Sequence, residues 1–181
     1  RIFENRSSFN DVFEKITQSS YFLSQSEKDI FKYHWDSRLN GEYAQVNYKL
    51  GNDLKRERKN IKAISHYQTA IEFKPDFAKA YNNIGIILFE EGNQEEAISH
   101  YKAAIKLKPE FALVHRNLGL ALYKIGKFKE ATSHYRKAIK LKPNYAEAYN
   151  SLGISLIKLQ KSKEAISHYK AAIKLKPNYA L

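Results

Sequence analysis

An eleven-residue stretch recurs along the chain every 34 residues. Ser99–Pro109 reads SHYKAAIKLKP and returns unchanged at Ser167–Pro177, while close variants occupy Ser65–Pro75 and Ser133–Pro143. A fixed period of this length indicates a stack of similar supersecondary units, each of which buries its apolar face against its neighbours. The repeat therefore limits the chain to an array whose contacts run between units that are adjacent in sequence.

Four units begin at residue 44, and they cover 44–77, 78–111, 112–145 and 146–179. In all four, glycine stands at the eighth place, alanine at the twentieth and twenty-seventh, tyrosine at the twenty-fourth and proline at the thirty-second. Glycine and alanine let two helices approach closely, the ring fills the space beside them, and proline stops the second helix. Each unit is thus predicted to be two helices, for example 78–91 and 94–108, joined at Gly92.

Residues 1–43 do not fit this repeat. Four apolar residues predict one amphipathic helix there: Phe9, Val12, Phe13 and Ile16. A second helix is expected from Ser24 or Ser26 to Gly41, because glycine commonly ends a helix. We interpret 1–43 as a helical pair that caps the first unit; the tail of a preceding domain is the alternative.

Composition excludes several classes of protein. The 181 residues include no cysteine and no apolar run near the length of a membrane span, and the first residues lack a signal-peptide core. There is no methionine, and Pro177–Ala180 has the same sequence as Pro143–Ala146, which leads into the first helix of the fourth unit. We therefore expect a piece of a longer protein, truncated at the C-terminus. Its compartment is left open, with the cytoplasm favoured.

The anchor places resemble those of the tetratricopeptide repeat family over residues 44–179. This resemblance implies an all-α, right-handed α-solenoid of four helix-turn-helix repeats, preceded here by the helical pair. It also implies a protein-protein interaction scaffold in which the first helices line a concave groove. The expected partner is a protein or peptide segment bound in that groove, with an acidic partner as one option.

The resemblance assigns two kinds of side chain to the groove. Six apolar residues form a ladder along the last three units: Ile86, Phe89, Leu120, Tyr123, Ile154 and Ile157. Beside it run amides and bases: Lys49, Asn52, Asn82, Asn83, Arg116, Asn117 and Asn150. An apolar strip of this kind typically marks a docking site. The alternative is that the apolar side chains pack sideways and close the groove themselves.

The amides at the sixth place are similar to the asparagine ladder of O-linked N-acetylglucosamine transferase repeats, which holds a partner's backbone. Asn83 and Asn117 match it, whereas Lys49 and Ser151 interrupt it at either end. An amide can pair with both N–H and C=O of a peptide, so such contacts need no particular partner sequence. The chain is thus also a candidate recruiting arm of a larger enzyme, such as a glycosyltransferase.

The carboxylate clamp of the chaperone-binding subgroup is only half present. Asn52 and Asn83 fit it, but Tyr48, Leu113 and Asn117 stand where the clamp needs lysine or arginine. Recognition of a C-terminal acidic motif of that kind is therefore disfavoured.

No catalytic residue, metal or cofactor is expected. The sequence has no phosphate-binding glycine loop, no HExxH and no nucleophile elbow. Each unit carries a Ser-His pair, such as Ser99-His100, but adjacent residues on a helix do not face each other. Stacked helices lie about 8–10 Å apart and metal–nitrogen bonds are about 2 Å long, so histidines one repeat apart cannot share an ion.

Charge suggests an alternative function. Residues 44–181 hold 25 basic and 12 acidic side chains. Six of the basic ones repeat on the second helices as a basic ridge on the convex side: Lys102, Lys106, Arg136, Lys140, Lys170 and Lys174. The ridge is either a solvated surface or a site for a polyanion such as anionic lipid; nucleic acid is disfavoured, because no aromatic rings are interleaved to stack bases. A third possibility is self-association, in which the similar units stack end to end.

Overall fold

The computed structural model describes residues 25–177, with side chains from residue 38 onward. This part of the chain contains eight α-helices and no strand. The helices are α1 (Gln25–Arg56), α2 (Asn60–Phe73), α3 (Ala78–Glu90), α4 (Gln94–Leu107), α5 (Ala112–Lys124), α6 (Phe128–Leu141), α7 (Ala146–Lys158) and α8 (Ser162–Leu175). The predicted helix ends in the second unit, at 91 and 108, are thus correct to within one residue. The predicted amphipathic helix around Phe9 lies outside the described residues.

The predicted helix end at Gly41 is wrong. Helix α1 is 32 residues long, from Gln25 to Arg56, and it continues through this glycine. A glycine inside a helix costs only about 1 kcal/mol relative to alanine, and no proline follows to stop the chain. Arg38 and Glu42 form an ion pair of 3.4 Å across this turn of the helix. Glycine ends a helix where the backbone turns left-handed, and nothing at this position requires that turn.

The internal contacts divide the chain between residues 43 and 44, and residues 44–181 form one of the two units. Within it, the two helices of a repeat pack together: α3 on α4, α5 on α6 and α7 on α8. Each second helix also packs on the first helix of the next repeat: α2 on α3, α4 on α5 and α6 on α7. This order of packing is that of an all-α solenoid, as predicted.

Successive first helices touch one another as well. Contacts join α3 to α5 and α5 to α7, whereas no comparable contact joins successive second helices within the described residues. The first helices are thus closer together than the second helices. They line the inner side of the curve, where the groove is expected.

The glycine and tyrosine anchors explain how closely the helices of a repeat approach. A Cβ atom on Gly119 would lie 2.6 Å from the ring of Tyr135, and the same clash occurs at Gly51, Gly85 and Gly153. Real Cβ atoms do not come this close to a ring. Only glycine therefore fits at the eighth place while the tyrosine ring stays where it is.

Candidate peptide-binding groove

The apolar ladder on the first helices is partly covered by its own neighbours. Ile86, Phe89, Leu120 and Tyr123 are half-buried and pack against the hydrophobic core. The ring of Tyr123 lies 5.2 Å from that of Phe128, which supports it from the second helix. At the same two places of the fourth repeat the side chains are more exposed. There Ile154 is 39% and Ile157 is 45% exposed.

The amides beside the ladder bond to one another across repeats. Asn117 Nδ2 donates to Asn82 Oδ1 (3.0 Å), Asn82 Nδ2 to Asn83 Oδ1 (3.2 Å), and Asn83 Nδ2 to Asn52 Oδ1 (2.8 Å). The Tyr67 hydroxyl also donates to Asn52 Oδ1, at 2.9 Å. Asn82 and Asn117 are buried, whereas Asn52 and Asn83 are half-buried. The network joins the first three repeats and fixes their register, a role that the sequence did not predict.

The remaining polar groove residues differ in accessibility. Lys49 is exposed, while Asn150 and Arg116 are half-buried. The Nε of Arg116 is buried and has no hydrogen-bond partner among the described residues. Lys55 stands at the twelfth place of its repeat, as Phe89 does, and its Nζ lies 4.0 Å from Oε1 of Glu90. The surface where the groove is expected thus has cationic and amide groups beside an apolar strip.

Histidines contact the fourth place of their own repeat, a pairing that sequence reasoning missed. His100 and His168 lie against tyrosine rings, with centroids 6.2 Å from Tyr81 and 6.0 Å from Tyr149. His66 Nδ1 lies 2.9 Å from Asn47 Oδ1. The signal was the constant spacing of 19 residues between the two places, which the alignment contains. The histidines are therefore structural contacts between the two helices of each repeat.

The third repeat has a pair of histidines at these two places. His115 Nε2 lies 3.0 Å from the carbonyl oxygen of Pro109 and donates to it, because a carbonyl only accepts. His115 Nδ1 lies 3.1 Å from Nδ1 of His134, so one proton lies between these two nitrogens. Burial lowers the pKa of both imidazoles, and the nearby charge of Lys137 lowers the pKa of His115 further. Both shifts favour the neutral form of the two rings.

The basic ridge lies exposed on the second helices. All six of its side chains are exposed: Lys102, Lys106, Arg136, Lys140, Lys170 and Lys174. Arg136 is engaged by an ion pair of 2.6 Å with Glu164 of the next repeat. The other five side chains of the ridge form no ion pair with residues 38–177. The ridge is accessible to an anionic partner.

The lysine that follows the second helix of each of the first three repeats also contacts an aromatic ring. Lys74, Lys108 and Lys142 place their Nζ atoms 5.6, 5.4 and 4.9 Å from the ring centroids of Phe77, Phe111 and Tyr145. Cation–π contacts of this kind contribute about 0.5–1 kcal/mol at exposed sites. These lysines therefore stabilise the turn between repeats and do not belong to the ridge.

Among the side chains that the structure describes, from residue 38 to 177, no cluster of three or more His, Asp or Glu could hold a metal ion. None of the described helices combines the length and the apolar character that crossing a membrane requires.

Solved structures with the same fold are numerous. A crystal structure of MamA superposes with a TM-score of 0.70 at 23% identity, covering 86% of this chain and 96% of that one. PilF of Pseudomonas aeruginosa gives a TM-score of 0.71 at 21% identity, with 77% and 64% covered. The first TPR domain of Spaghetti (RPAP3), bound to the HSP90 peptide SRMEEVD, gives 0.65 at 24% identity, with 66% and 95% covered. At these identities the similarity shows the fold alone.

Comparison of the sequence with curated proteins finds no significant match. Family models do match. One, described as "TPR repeat", covers residues 59–92, 85–126 and 120–160, and another, "Tetratricopeptide repeat", covers 146–179. The second match coincides with the fourth unit of the alignment. The chain belongs to the tetratricopeptide repeat family.

Proposed function

We propose that the chain is a non-catalytic scaffold that binds a peptide or helical segment of a protein partner along the inner side of the solenoid. The observation that carries this proposal is the apolar strip on the first helices. It runs through three repeats, it is only partly covered, and it is most open at Ile154 and Ile157. An exposed apolar strip of this kind costs solubility unless a partner covers it.

The polar rim of the strip supports the same proposal. Asn83, Asn150 and Arg116 are half-buried beside it, and Lys49 is exposed. Asn82 and Asn117 are buried in the amide network, so we leave them out of the direct contact surface and assign them the support of Asn83 and Asn52. A rim of donors next to apolar contacts suits an extended chain, whose carbonyl groups need partners.

The RPAP3 domain shows that a similar fold can hold a peptide. The half-complete clamp of this chain makes the same acidic C-terminal motif a poor candidate. A partner that fits these residues offers apolar side chains to the strip and carbonyl or carboxylate oxygens to Arg116 and Asn150.

A displayed random-peptide library tests the proposal, followed by calorimetric titration of the selected peptides. The test variant is Ile154→Ser with Ile157→Ser, because both side chains are exposed and their loss leaves the core intact. Burial of two isoleucines on binding is worth several kcal/mol, so we expect at least about a tenfold loss of affinity. The matched control is Ile61→Ser, at an 86% exposed isoleucine outside the groove. Equal affinity of the double variant and the control would refute groove binding.

The exposed ridge favours a second candidate, a polyanion-binding surface. Fluorescence anisotropy with vesicles of anionic lipid and with a single-stranded oligonucleotide distinguishes it from groove binding. Binding through the ridge should weaken steeply with salt, because it depends on neutralising anionic groups. Replacing Lys140 and Lys174 by glutamine should weaken it and reduce its salt dependence without affecting peptide binding.

A further inference from the structure

The guanidinium group of Arg116 has no partner among the described residues. Arg116 lies on α5 in the third repeat, so a described repeat stands on either side of it. Its side chain is half-buried, and its Nε is buried without a hydrogen bond. It forms no ion pair with residues 38–177. A charged group that is taken out of water without an acceptor costs free energy, and a bound partner that supplies the acceptor removes this cost.

Polar groups on the inner side of the first two repeats satisfy one another. The Tyr67 hydroxyl donates to Asn52 Oδ1 at 2.9 Å and accepts from Asn83 Nδ2 at 3.3 Å. Asn83 Nδ2 also donates to Asn52 Oδ1, at 2.8 Å. This part of the inner side therefore has its acceptors within the chain.

One repeat further on, the corresponding hydrogen bonds are missing. Ile86 stands at the place of the accepting amide of the first repeat, and isoleucine accepts no hydrogen bond. Asn117 stands at the place of the donating amide, but its Nδ2 donates to Asn82. The Tyr101 hydroxyl accordingly forms no hydrogen bond within the described residues. The amide network thus supplies no acceptor near Arg116.

The acidic side chains nearby do not neutralise Arg116 either. Burial and the charge of Glu90 raise the pKa of Tyr101, whereas Arg116 lowers it, so both charges lie near this ring. The pKa of Glu147 is lowered by its own backbone N–H, by Lys176 and by Arg116. Glu90 and Glu147 each lie within 4.0 Å of a lysine Nζ, and neither forms an ion pair with Arg116. Among the described residues, the guanidinium charge is therefore left for an acid supplied by a partner.

We propose that Arg116 binds the carboxylate of an aspartate or glutamate in the middle of the segment that occupies the groove. A carboxylate carries the opposite charge and accepts strong hydrogen bonds from a guanidinium. The excess of basic residues in 44–181, 25 against 12 acidic, also attracts an acidic segment. This role rests on the proposed function, because it needs a segment bound along the apolar strip.

The position of Arg116 along the strip selects an internal side chain and not the C-terminal carboxylate of a partner. The strip continues on both sides of Arg116, through Ile86 and Phe89 in the second repeat and through Ile154 and Ile157 in the fourth. A segment that covers the strip passes Arg116 with its middle. The acidic residue is therefore expected between apolar residues. Arg116 also occupies none of the places of the carboxylate clamp.

Selection of the displayed random-peptide library on the wild type and on Arg116→Gln tests this role. Peptides selected on the wild type should have aspartate or glutamate at one position, with apolar residues on both sides. Peptides selected on Arg116→Gln should lack this preference, whereas those selected on Lys129→Gln should retain it. Lys129 is the matched control, because it is an exposed lysine on α6 of the same repeat. Its replacement removes one charge at a place outside the strip.

Titration of one selected peptide and of its analogue with asparagine or glutamine at the acidic position completes a double-mutant cycle. The analogue should bind the wild type at least about tenfold more weakly, because a hydrogen bond between charged groups is lost. The two peptides should bind Arg116→Gln equally. Amidation of the C-terminus of the peptide should leave its affinity unchanged. An acidic preference that survives in Arg116→Gln, or a loss of affinity on amidation, would overturn the proposed role.

Failure of this role is distinguishable from failure of groove binding. Selected peptides without an acidic position, whose affinity still falls when Ile154 and Ile157 are replaced by serine, would overturn the role of Arg116 and leave groove binding intact. A library that yields no binder would overturn both.

The free chain provides a test that needs no peptide. Arg116→Met replaces the guanidinium by an apolar side chain, and should raise the melting temperature by about 2–4 °C. Lys129→Met should leave it unchanged, because Lys129 is exposed. A lower melting temperature of Arg116→Met would show that the guanidinium already has a partner in the free chain, residues before 38 included, and would overturn the proposal.

Discussion

Helices α4 and α8 have the same twelve residues, Glu96–Leu107 and Glu164–Leu175, yet they differ in environment. In α4 the tyrosine of this stretch, Tyr101, is buried and packed on both sides. In α8 its counterpart Tyr169 is half-buried. The difference comes from α5, which covers α4, while no described helix covers α8 in that way. Burial in this array is a property of the neighbour, so matched substitutions in the two helices measure what one neighbour contributes.

The largest difference is expected at the tyrosine. Tyr101→Ala removes a fully buried ring between two repeats and should lower the free energy of unfolding by about 3–5 kcal/mol. Tyr169→Ala removes a ring that already contacts solvent and should cost about 1–2 kcal/mol. Urea unfolding monitored by circular dichroism gives both values. Equal losses would mean that α8 is covered in solution. End-to-end association at high concentration would have the same effect. The measurement is therefore repeated at low protein concentration.

The glycine opposite each tyrosine gives a smaller and more specific contrast. A Cβ on Gly85 would lie 2.7 Å from the ring of Tyr101, and one on Gly153 would lie 2.6 Å from the ring of Tyr169. Overpacking costs about 1–3 kcal/mol, while alanine gains about 1 kcal/mol in helix propensity.

The two rings differ in freedom to move. Tyr101 is enclosed, so Gly85→Ala should give a net loss of about 1–2 kcal/mol. Tyr169 can turn towards solvent, so Gly153→Ala should be close to neutral. Thermal unfolding of the two variants tests this difference. A large loss at Gly153 would show that the position of the Tyr169 ring is fixed by its own repeat and not by a neighbour.

The anchors and helix bounds were predictable because they follow from local chemistry that every repeat contains. The helix continuing through Gly41 was not, because one glycine is compatible with either outcome and its surroundings decide. The amide network was not predictable either, since it depends on distances between side chains of different repeats, such as Asn117 and Asn82. Identical residues in α4 and α8 set the clearest limit. No local pattern can assign two environments to one sequence.

The histidine pair of the third repeat predicts a dependence of stability on pH. Burial lowers the pKa of His115 and of His134 below the ordinary value for histidine, about 6.5, and the neighbouring His115 lowers the pKa of His134 further. A lowered pKa means that the unfolded chain takes up protons first. Stability is therefore complete above pH 6.5 and is lost as the pH falls, by at most about 1.4 kcal/mol per pH unit for each proton.

His115→Tyr converts the third repeat to the arrangement of the second and fourth, in which tyrosine contacts the histidine. It removes the imidazole of His115, so His134 no longer lies next to another group that titrates in this pH range. The slope of unfolding free energy between pH 7.5 and 5.5 should fall more than in His168→Gln, which removes a single histidine of lowered pKa. The same decrease in both variants would show that the two rings of the pair titrate independently.

The smallest effect is expected at the turns that precede α4 and α8. Gly92 has φ 87° and Gln160 has φ 59°, so both turns are left-handed, but only the first has glycine. A residue with a Cβ in this conformation costs about 1–2 kcal/mol, part of which is offset because glycine loses more entropy on folding. Gln160→Gly should therefore raise the free energy of unfolding by about 0.5–1 kcal/mol.

The reverse change, Gly92→Gln, should lower it by a similar amount in a turn of the same shape. Chemical unfolding at one pH gives the free energy of unfolding of both variants. Arg58→Gly repeats the test in the first repeat, because Arg58 also has φ 59°. The turn is solvent-exposed in every repeat, so this pair should give equal and opposite values whichever neighbour covers the helix. A larger effect at Gly92 than at Gln160 would mean that inner repeats transmit the strain of a turn to the interfaces on both sides, whereas the last repeat absorbs it by fraying.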